Sequence, residues 1–346
     1  MHPDEIAIQP VLLRKFVGEL FEKAGLPPKD ADAVADVLVK TDLRGVFSHG
    51  TRLAPQYLQH ILDGHMNPRP NPRVDRETAA MALIDADRGV GHLAALDAMC
   101  RAMDKAGQVG IGMVNVRRSH HLGAASIYAM MALEKGMIGF VTTNTGGPSV
   151  APFGGRAGAL GNNPLAWAFP TRRSFPFVVD MAVGVAAWQR VETMRIYGQK
   201  LPPGWCLDRE GNETDDPAKA WTMFAAGGTR GYGLAIVAAL LTGALSGGKF
   251  PSRRPRYDAS NDSEHMLLAI SIEHFVSRDQ FLDEVDEAIS ACQGTPPLGG
   301  FDRVRLPGEL EWEKEQKWRE SGIPLHRDHL ARLATIAQKL GVQTCW

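Results

Sequence analysis

The sequence predicts an α/β protein with a helical flank drawn from both ends of the chain. Two observations carry this. From residue 76 onward, short apolar runs alternate with segments of helical period, the pattern of strands and helices wound into one unit. Before residue 64 and after residue 300, apolar residues recur only at helical spacing, and "GHMNPRPNPR" (Gly64 to Arg73) breaks the first of these regions from the alternating one. We therefore expect residues 1–73 and 300–346 to form two parts of one helical domain, and residues 74–299 to form the α/β domain.

Composition narrows the function. The 346 residues are 44% hydrophobic and 22% charged, as in an ordinary globular protein. A net charge of -1 and the lack of a long basic run argue against a nucleic-acid partner. The densest basic patch, "RRPRY" (Arg253 to Tyr257), reads as a solvated loop. Cys100, Cys206, Cys292 and Cys345 are dispersed, so neither a disulfide framework nor a metal set is expected, and a reducing cytoplasm fits. The first ten residues lack the basic and apolar regions of a signal peptide. The longest apolar stretch, "GLAIVAALLTGALSGG", reads as too short and glycine-broken to cross a membrane, so no membrane partner is expected.

The elements follow in order. Val11, Leu12, Phe16, Leu20 and Phe21 mark a first helix, ended by Gly25 and Pro27. Asp30 and Asp32 open a second, where acids suit the positive helix end, and Val34, Val37 and Leu38 form its stripe. A third runs from Thr51 to Asp63, with Leu53, Tyr57 and Ile61 on one face. Beyond the break, "AMALID", "IGMVNV", "MIGFVTTN", "PLAWAFP", "FPFVVDM" and "HMLLAISI" read as strands. "HLAALDAMCRAMDKAG", "AASIYAMMALEKG", "VAAWQRVETMRIYG", "GLAIVAALLTGALSG" and "DQFLDEVDEAISAC" read as helices. The tail adds "PGELEWEKEQKWRESG" and "RDHLARLATIAQKLG", the latter with Asp328 as candidate N-cap and Gly341 past its end.

Five stretches could carry chemistry. "GVGHLA" (Gly89 to Ala94) matches the dinucleotide fingerprint after a strand, but Asp85, Asp87 and Arg88 intervene. Two carboxylates would repel a pyrophosphate, so an ordinary Rossmann site is not expected there. "SHHLGAAS" sets His120 and His121 at a strand end, where α/β proteins bind ligands; the plainer alternative is one surface and one buried histidine. "TNTGGPSVAPFGGRAGALGNNP" (Thr143 to Pro164) either presents backbone N–H groups or forms a structural hairpin. "GGTRGYGLA" (Gly227 to Ala235) places glycines and Arg230 at a helix start, a possible anion cradle. In "DLRGVFSHGTRLAPQY" (Asp42 to Tyr57), Ser48 or Thr51 could simply cap a helix. Alternatively Arg52 and the helix end hold a carboxylate, and His49 hands a proton to the neighbouring carbonyl oxygen.

Together these pieces resemble the malate/L-lactate dehydrogenases of the non-Rossmann type, with relatives such as ureidoglycolate and sulfolactate dehydrogenases, 2,3-diketogulonate reductase and Δ1-piperideine-2-carboxylate reductase. The matching pieces are "DLRGVFSHGTR", "VRRSHHLGAAS", "GMIGFVTTN", "APFGG", "GNNPLAWAFP", "VVDMA", "LPPGWCLDREGNETDDP", "GGTRGYGLA" and "VRLPGE", in order along nearly the whole chain. The resemblance implies a non-Rossmann NAD(P)-binding α/β domain with a mixed sheet, NAD or NADP as cofactor, a small organic acid as substrate, and a homodimer with sites near the subunit interface.

By the same resemblance, His49 is the proton donor, with Ser48 and Arg52 beside the substrate. His121 takes the acid–base role in some relatives and also contacts cofactor. Cofactor contacts fall on Val178, Val179, Asp180, Met181, Ala182, Val183 and Gly184, on Thr229 and Arg230, and on Gly308, Glu309 and Leu310. This chain departs from the pattern at His120 (commonly asparagine), Asn162 (threonine), Arg230 (lysine) and "TGGPS", where some relatives carry a lysine. Arg117, Arg118, Arg172 and Arg173 are candidate readers of a 2′-phosphate. The expected reaction is hydride transfer between nicotinamide and C2 of a 2-hydroxy or 2-oxo acid of the malate or lactate kind. The alternatives are reduction of a cyclic imine acid and a catalytically silent, dinucleotide- or partner-binding relative.

Overall fold

The computed structural model describes residues 4–256, 258 and 262–346; Tyr257 of the basic run and the first three residues of the leader reading lie outside it. In chain order the elements are β1 (Glu5–Ile8), α1 (Pro10–Lys23), α2 (Pro28–Leu43), α3 (Ala54–Leu62), β2 (Arg73–Glu77), β3 (Met81–Asp85), α4 (Gly91–Val109), β4 (Ile111–Ser119), α5 (Ala125–Ala129), β5 (Met137–Asn144), β6 (Pro164–Phe169) and β7 (Phe177–Ala182). There follow α6 (Trp188–Ile196), β8 (Cys206–Leu207), β9 (Glu213–Thr214), β10 (Thr222–Met223), α7 (Thr229–Thr242), β11 (Ser263–Ser271), α8 (Arg278–Gln293), α9 (Glu309–Ser321), β12 (Ile323–His326) and α10 (Arg327–Leu340).

The centre is a seven-stranded sheet in the order β2-β3-β4-β11-β5-β6-β7. Only β3 and β4 pair in parallel, joined by the crossover helix α4; the other pairs are antiparallel. The sheet is thus mixed, as the resemblance implied. Glycine lets two helices lie close upon it. A Cβ at Gly112 would fall 1.9 Å from the Ala102 carbonyl oxygen of α4, and one at Gly139 2.0 Å from that of Ala129 in α5.

A second core is built from both chain ends. Phe16, Leu20, Phe21, Leu38, Tyr57 and Leu58 share it with Ile323, Leu325, Leu330 and Leu333. Antiparallel pairing of β1 with β12, four residues each, fastens the two ends; neither strand is legible in the local pattern. A third, smaller core lies under the β10-β8-β9 sheet.

Several local expectations need correction. Val11 and Leu12 are exposed; Leu13 and Val17 complete the buried stripe of α1 instead. The N-cap of α10 is His326, whose ring nitrogen Nδ1 accepts the Asp328 backbone N–H at 3.2 Å. Gly341 does end that helix, in the left-handed conformation. The "AASIYAMMALEKG" helix is α for only five residues and continues as a 3-10 turn. With the turn after it, α7 forms an 18-residue apolar span, Thr229–Ser246, long enough by composition to cross a membrane, contrary to expectation. Its Ala235, Ala238 and Ala239 are buried and it packs on β5 and β11, as a core helix does. Its Leu234, Val237 and Leu240 are exposed.

Candidate active site

The site is built around a buried carboxylate. Asp42, near the C-terminal end of α2, is fully buried, and its Oδ2 accepts the Thr51 backbone N–H at 3.1 Å and the Thr51 hydroxyl at 2.5 Å. The Thr51 oxygen also bonds His329 Nε2 of α10 at 3.0 Å. A Cβ on Gly50 would lie 1.9 Å from Asp42 Oδ1, so glycine is required for the turn to close on the acid. Thr51 therefore answers to Asp42 rather than capping a helix, and the residues just before it, Ser48 and His49, are held toward the interior. Burial raises the Asp42 carboxyl to about 7, against the pull of the Thr51 hydrogen bonds.

His49 faces a second histidine. The rings of His49 and His121 stack with centroids 5.5 Å apart, and Ser48 Oγ lies 2.8 Å from His49 Nδ1. The His121 Nδ1 accepts the Gly123 backbone N–H at 3.2 Å, so it carries no proton. The Tyr57 hydroxyl, 2.6 Å away, must then donate to the same nitrogen; burial raises its pKa, which keeps it protonated. That fixes the tautomer, with the His121 proton on Nε2. Burial and the neighbouring His49, His92 and His265 push His121 well below the ordinary histidine range. His49 is also lowered by burial, but the Asp180 carboxylate works in the opposite direction. Of the two, His49 is the one poised to hold a proton.

Asp180 on β7 accepts the Ser126 backbone N–H, at the start of α5, at 3.0 Å. Solvent reaches it through the cavity, yet the protein around it still raises its pKa, and the Ser126 hydrogen bonds oppose the rise.

These groups share a cavity of about 970 Å³. Ser48, His49, His121, Val178, Val179, Asp180, Met181, Ala182, Gly184 and Gly308 all line it. Val183 is packed in the core behind. Thr229 and Arg230 are exposed at the start of α7, where Ala226 is the loop's lining residue. Glu309 is buried and accepts the Leu306 N–H and the Gln293 amide, both at 3.1 Å, while Leu310 is exposed. Arg52 lies one cavity over, with Arg332 and Lys339, and donates to Thr193 Oγ at 3.4 Å; the two cavities meet at Leu53, Gln56 and Gln189.

The remaining motifs resolve by packing. "GVGHLA" serves contact: a Cβ on Gly91 would sit 2.0 Å from the His120 carbonyl oxygen, so α4 supports the histidine loop. His120 is buried and lines the cavity, so the reading of one surface and one buried histidine does not hold. The Thr143 to Pro164 stretch is both a hairpin, bridged at Val150 and Leu160, and a lining loop through Thr145, Gly146 and Asn162. The candidate phosphate readers are engaged elsewhere: Arg117 and Arg118 with Asp85, Arg172 with Asp279 and Asp283, Arg173 with Asp286. The basic run is not a solvated loop: Arg254 is buried against Glu264, and Arg256 lines the cavity. Sequence reading missed Asp42, Tyr57 and Arg256 as site residues; Tyr57 had already been counted as the apolar face of a helix.

The model of the malate/L-lactate dehydrogenase family matches residues 8–334. The chain belongs to this family. It is 37% identical over 343 residues to a malate dehydrogenase of Pyrococcus horikoshii, covering 96% of this chain and 94% of that one. It is 35% identical to an L-sulfolactate dehydrogenase of Methanocaldococcus jannaschii, covering 97% of each. The solved P. horikoshii structure superposes with a TM-score of 0.91 at 34% identity, over 99% of this chain and 98% of that one. The protein is therefore an oxidoreductase acting on hydroxy acids, in a family that depends on nicotinamide.

The cavity suits such a cofactor. Its volume is at the upper end of small-molecule sites, roughly 300–1,000 Å³. At Gly146 on its wall, in the left-handed region at φ +67°, a Cβ would meet nothing within 4 Å, so bare backbone faces open space.

The Asp42 anchor can be checked by unfolding. Its folded pKa of about 7 lies above its ordinary value of 3.8, so its contribution is fully present below the ordinary value and is lost as pH rises toward 7. Asp42→Asn, which mimics the protonated acid, should therefore gain on the wild type in chemical denaturation between pH 4 and pH 8. Asp42→Ala should lose about 1–3 kcal/mol at acidic pH, where it strands the Thr51 donors. Parallel pH dependence in Asp42→Asn and wild type would remove the argument.

Proposed function

We propose that the protein interconverts a small 2-hydroxy acid and its 2-oxo acid with NAD or NADP, and that His49 holds the proton exchanged at the C2 oxygen. The stacked His49–His121 pair, with its protonation ordered by Tyr57, Gly123 and Asp180, carries the reading. Val178 to Ala182, Gly184 and Gly308 would hold a nicotinamide dinucleotide, whose chemistry when bound would be hydride exchange at C2. The chain's own residues do the rest. His49, with Asp180 favouring its charged form, gives the proton to the oxygen in the reduction. His121, neutral with its proton on Nε2, holds the ring stack and offers that N–H to the substrate. Ser48, 2.8 Å from His49, fixes the imidazole. Arg52 reaches the acid's carboxylate where the two cavities meet. Holding reactants in this geometry is worth roughly 7–11 kcal/mol of barrier at best.

Assays of reduced-nicotinamide absorbance with pyruvate, oxaloacetate and a cyclic imine acid, with each dinucleotide, test the function. Turnover of a 2-oxo acid is expected, and activity on the imine alone would overturn the substrate reading. His49→Asn should lower kcat about 10²- to 10⁴-fold with dinucleotide affinity unchanged. Reduction needs protonated His49, so its kcat/KM should fall as pH rises through a value below 6.5, and oxidation should rise over the same range. A wild-type kcat in His49→Asn passes the role to His121.

Arg52→Met should raise KM for every acid and leave kcat nearly unchanged, because it removes the carboxylate's fork. An unaltered KM removes Arg52 from the site.

We further propose that a second copy of the chain covers the exposed Leu234, Val237 and Leu240 of α7, since exposed apolar patches mark association surfaces. Sedimentation equilibrium should then give twice the 37.6 kDa chain mass, and Leu240→Glu should shift it toward the monomer. A monomer mass for the wild type at micromolar concentration contradicts this.

A further inference from the structure

We propose that the hollow between α3 and α10 is a second binding site, for a small phosphate-bearing anion that competes with the substrate carboxylate for Arg52. The site stands on its own geometry; the competition rests on the reading of Arg52 as the carboxylate's clamp.

The hollow adjoins the catalytic cavity at Leu53, Gln56 and Gln189 and holds about 530 Å³, room for a small molecule rather than a single ion. Helical period builds one wall. Arg332, Ile336 and Lys339 stand at i, i+4 and i+7 of α10, so they share a face. Leu333 and Ala337 of the same helix are buried in the core, which fixes that face in place. The facing wall is α3, through Gln56 and Gln59, and the 3-10 turn that leads into it brings Arg52.

Charge sets the class of ligand. Arg52, Arg332 and Lys339 line the hollow, and among the described residues lining it there is no carboxylate. The first and last of these contact neutral groups: Arg52 donates to Thr193 Oγ1 at 3.4 Å, and Lys339 to Gln59 Oε1 at 2.9 Å. Arg332 makes no hydrogen bond or ion pair among the described residues. Acids stand further off. Glu192 accepts from Arg195 at 2.9 Å, Asp328 has a largely exposed carboxylate, and Asp63 meets Gln59 at 2.6 Å rather than Lys339. Burial, then the charge of Arg332, lowers Arg52 below the usual arginine range, while Glu192, Tyr197 and Asp328 oppose this. Other arginines of the surface meet acids directly, Arg14 with Asp32 and Asp36, Arg172 with Asp279 and Asp283. Three cations around one hollow repel one another, and an anion between them relieves the repulsion. Two guanidinium forks and an ammonium suit the several oxygens of a phosphate group.

The substrate does not fill this space. In a 2-oxo acid the carboxylate and the carbon tail leave C2 in diverging directions, so a carboxylate turned to Arg52 sends the tail away from the hollow. An anion in the hollow approaches Arg52 from the other side and draws its fork off the substrate.

The test uses the full-length enzyme saturated with dinucleotide. Reduction of oxaloacetate and pyruvate is assayed with inorganic pyrophosphate, against potassium chloride at equal ionic strength. Pyrophosphate binding is measured by calorimetry on the complex with oxidised dinucleotide, without acid. Pyrophosphate should raise the KM of both acids with kcat unchanged. Arg332→Gln and Lys339→Gln change exposed side chains outside the catalytic cavity, so KM without pyrophosphate should stay at the wild-type value. Each should weaken the inhibition constant and the calorimetric affinity about 10-fold or more, the worth of a charge-assisted hydrogen bond. Equal inhibition of wild type and both variants overturns the proposal, because it places the anion in the catalytic cavity. Inhibition no greater than that by chloride also overturns it. Binding that the variants lose, with no effect on KM in the wild type, overturns the competition for Arg52. A wild type that reduces neither acid, yet binds pyrophosphate more tightly than the variants do, keeps the site and sinks the reading of the function; an active wild type that binds none sinks this inference alone.

Discussion

The geometry of the site depends on one buried acid. Asp42 ties the end of α2 to Thr51, and through it to His329 of α10, so a single carboxylate joins the N-terminal helices, the site turn and the tail of the chain. Gly50 is the steric condition for that closure. A buried acid held by a threonine N–H and hydroxyl is costly to disturb, because removing it leaves polar donors stranded away from water. The shared core of both chain ends supplies the rigidity, and Asp42 directs it at Ser48 and His49.

From there the protonation states follow by elimination. A backbone N–H and a phenol that stays protonated both point at His121 Nδ1, so its proton is on the other nitrogen and the ring is neutral. Burial lowers His49 as well, but Asp180 works against that lowering. Two stacked imidazoles with different neighbours thus differ in how readily each holds a proton, as paired titratable groups do where their surroundings push their pKa values apart.

Much of this was legible in the sequence. Alternating apolar runs located six of the seven strands of the central sheet; β2, exposed along its length, carries no apolar run, and the ordered motifs pointed to His49, His121 and the β7 wall, which line one cavity. What was not legible has physical causes. β1 and β12 are four-residue strands whose partners lie at opposite ends of the chain, so no local period betrays them. Asp42 reads as a polar residue in a helix tail, and only the fold shows that it is buried. The apolar count of α1 included Val11 and Leu12 because a hydrophobic residue in the first turn can face solvent before the helix meets its core. Arg256 was hidden in a basic run, and its two tryptophan partners come from segments 35 and 68 positions away. The glycine fingerprint was rightly set aside, though its actual task, letting α4 touch the histidine loop, could not be read from a motif.

The most direct test of the account is a crystal structure with a reduced dinucleotide and oxamate, an unreactive mimic of a 2-oxo acid. The account predicts oxamate in the cavity within hydrogen-bond reach of His49, with Ser48 beside that imidazole. Oxamate bound elsewhere, touching none of Ser48, His49 or Arg52, would contradict it.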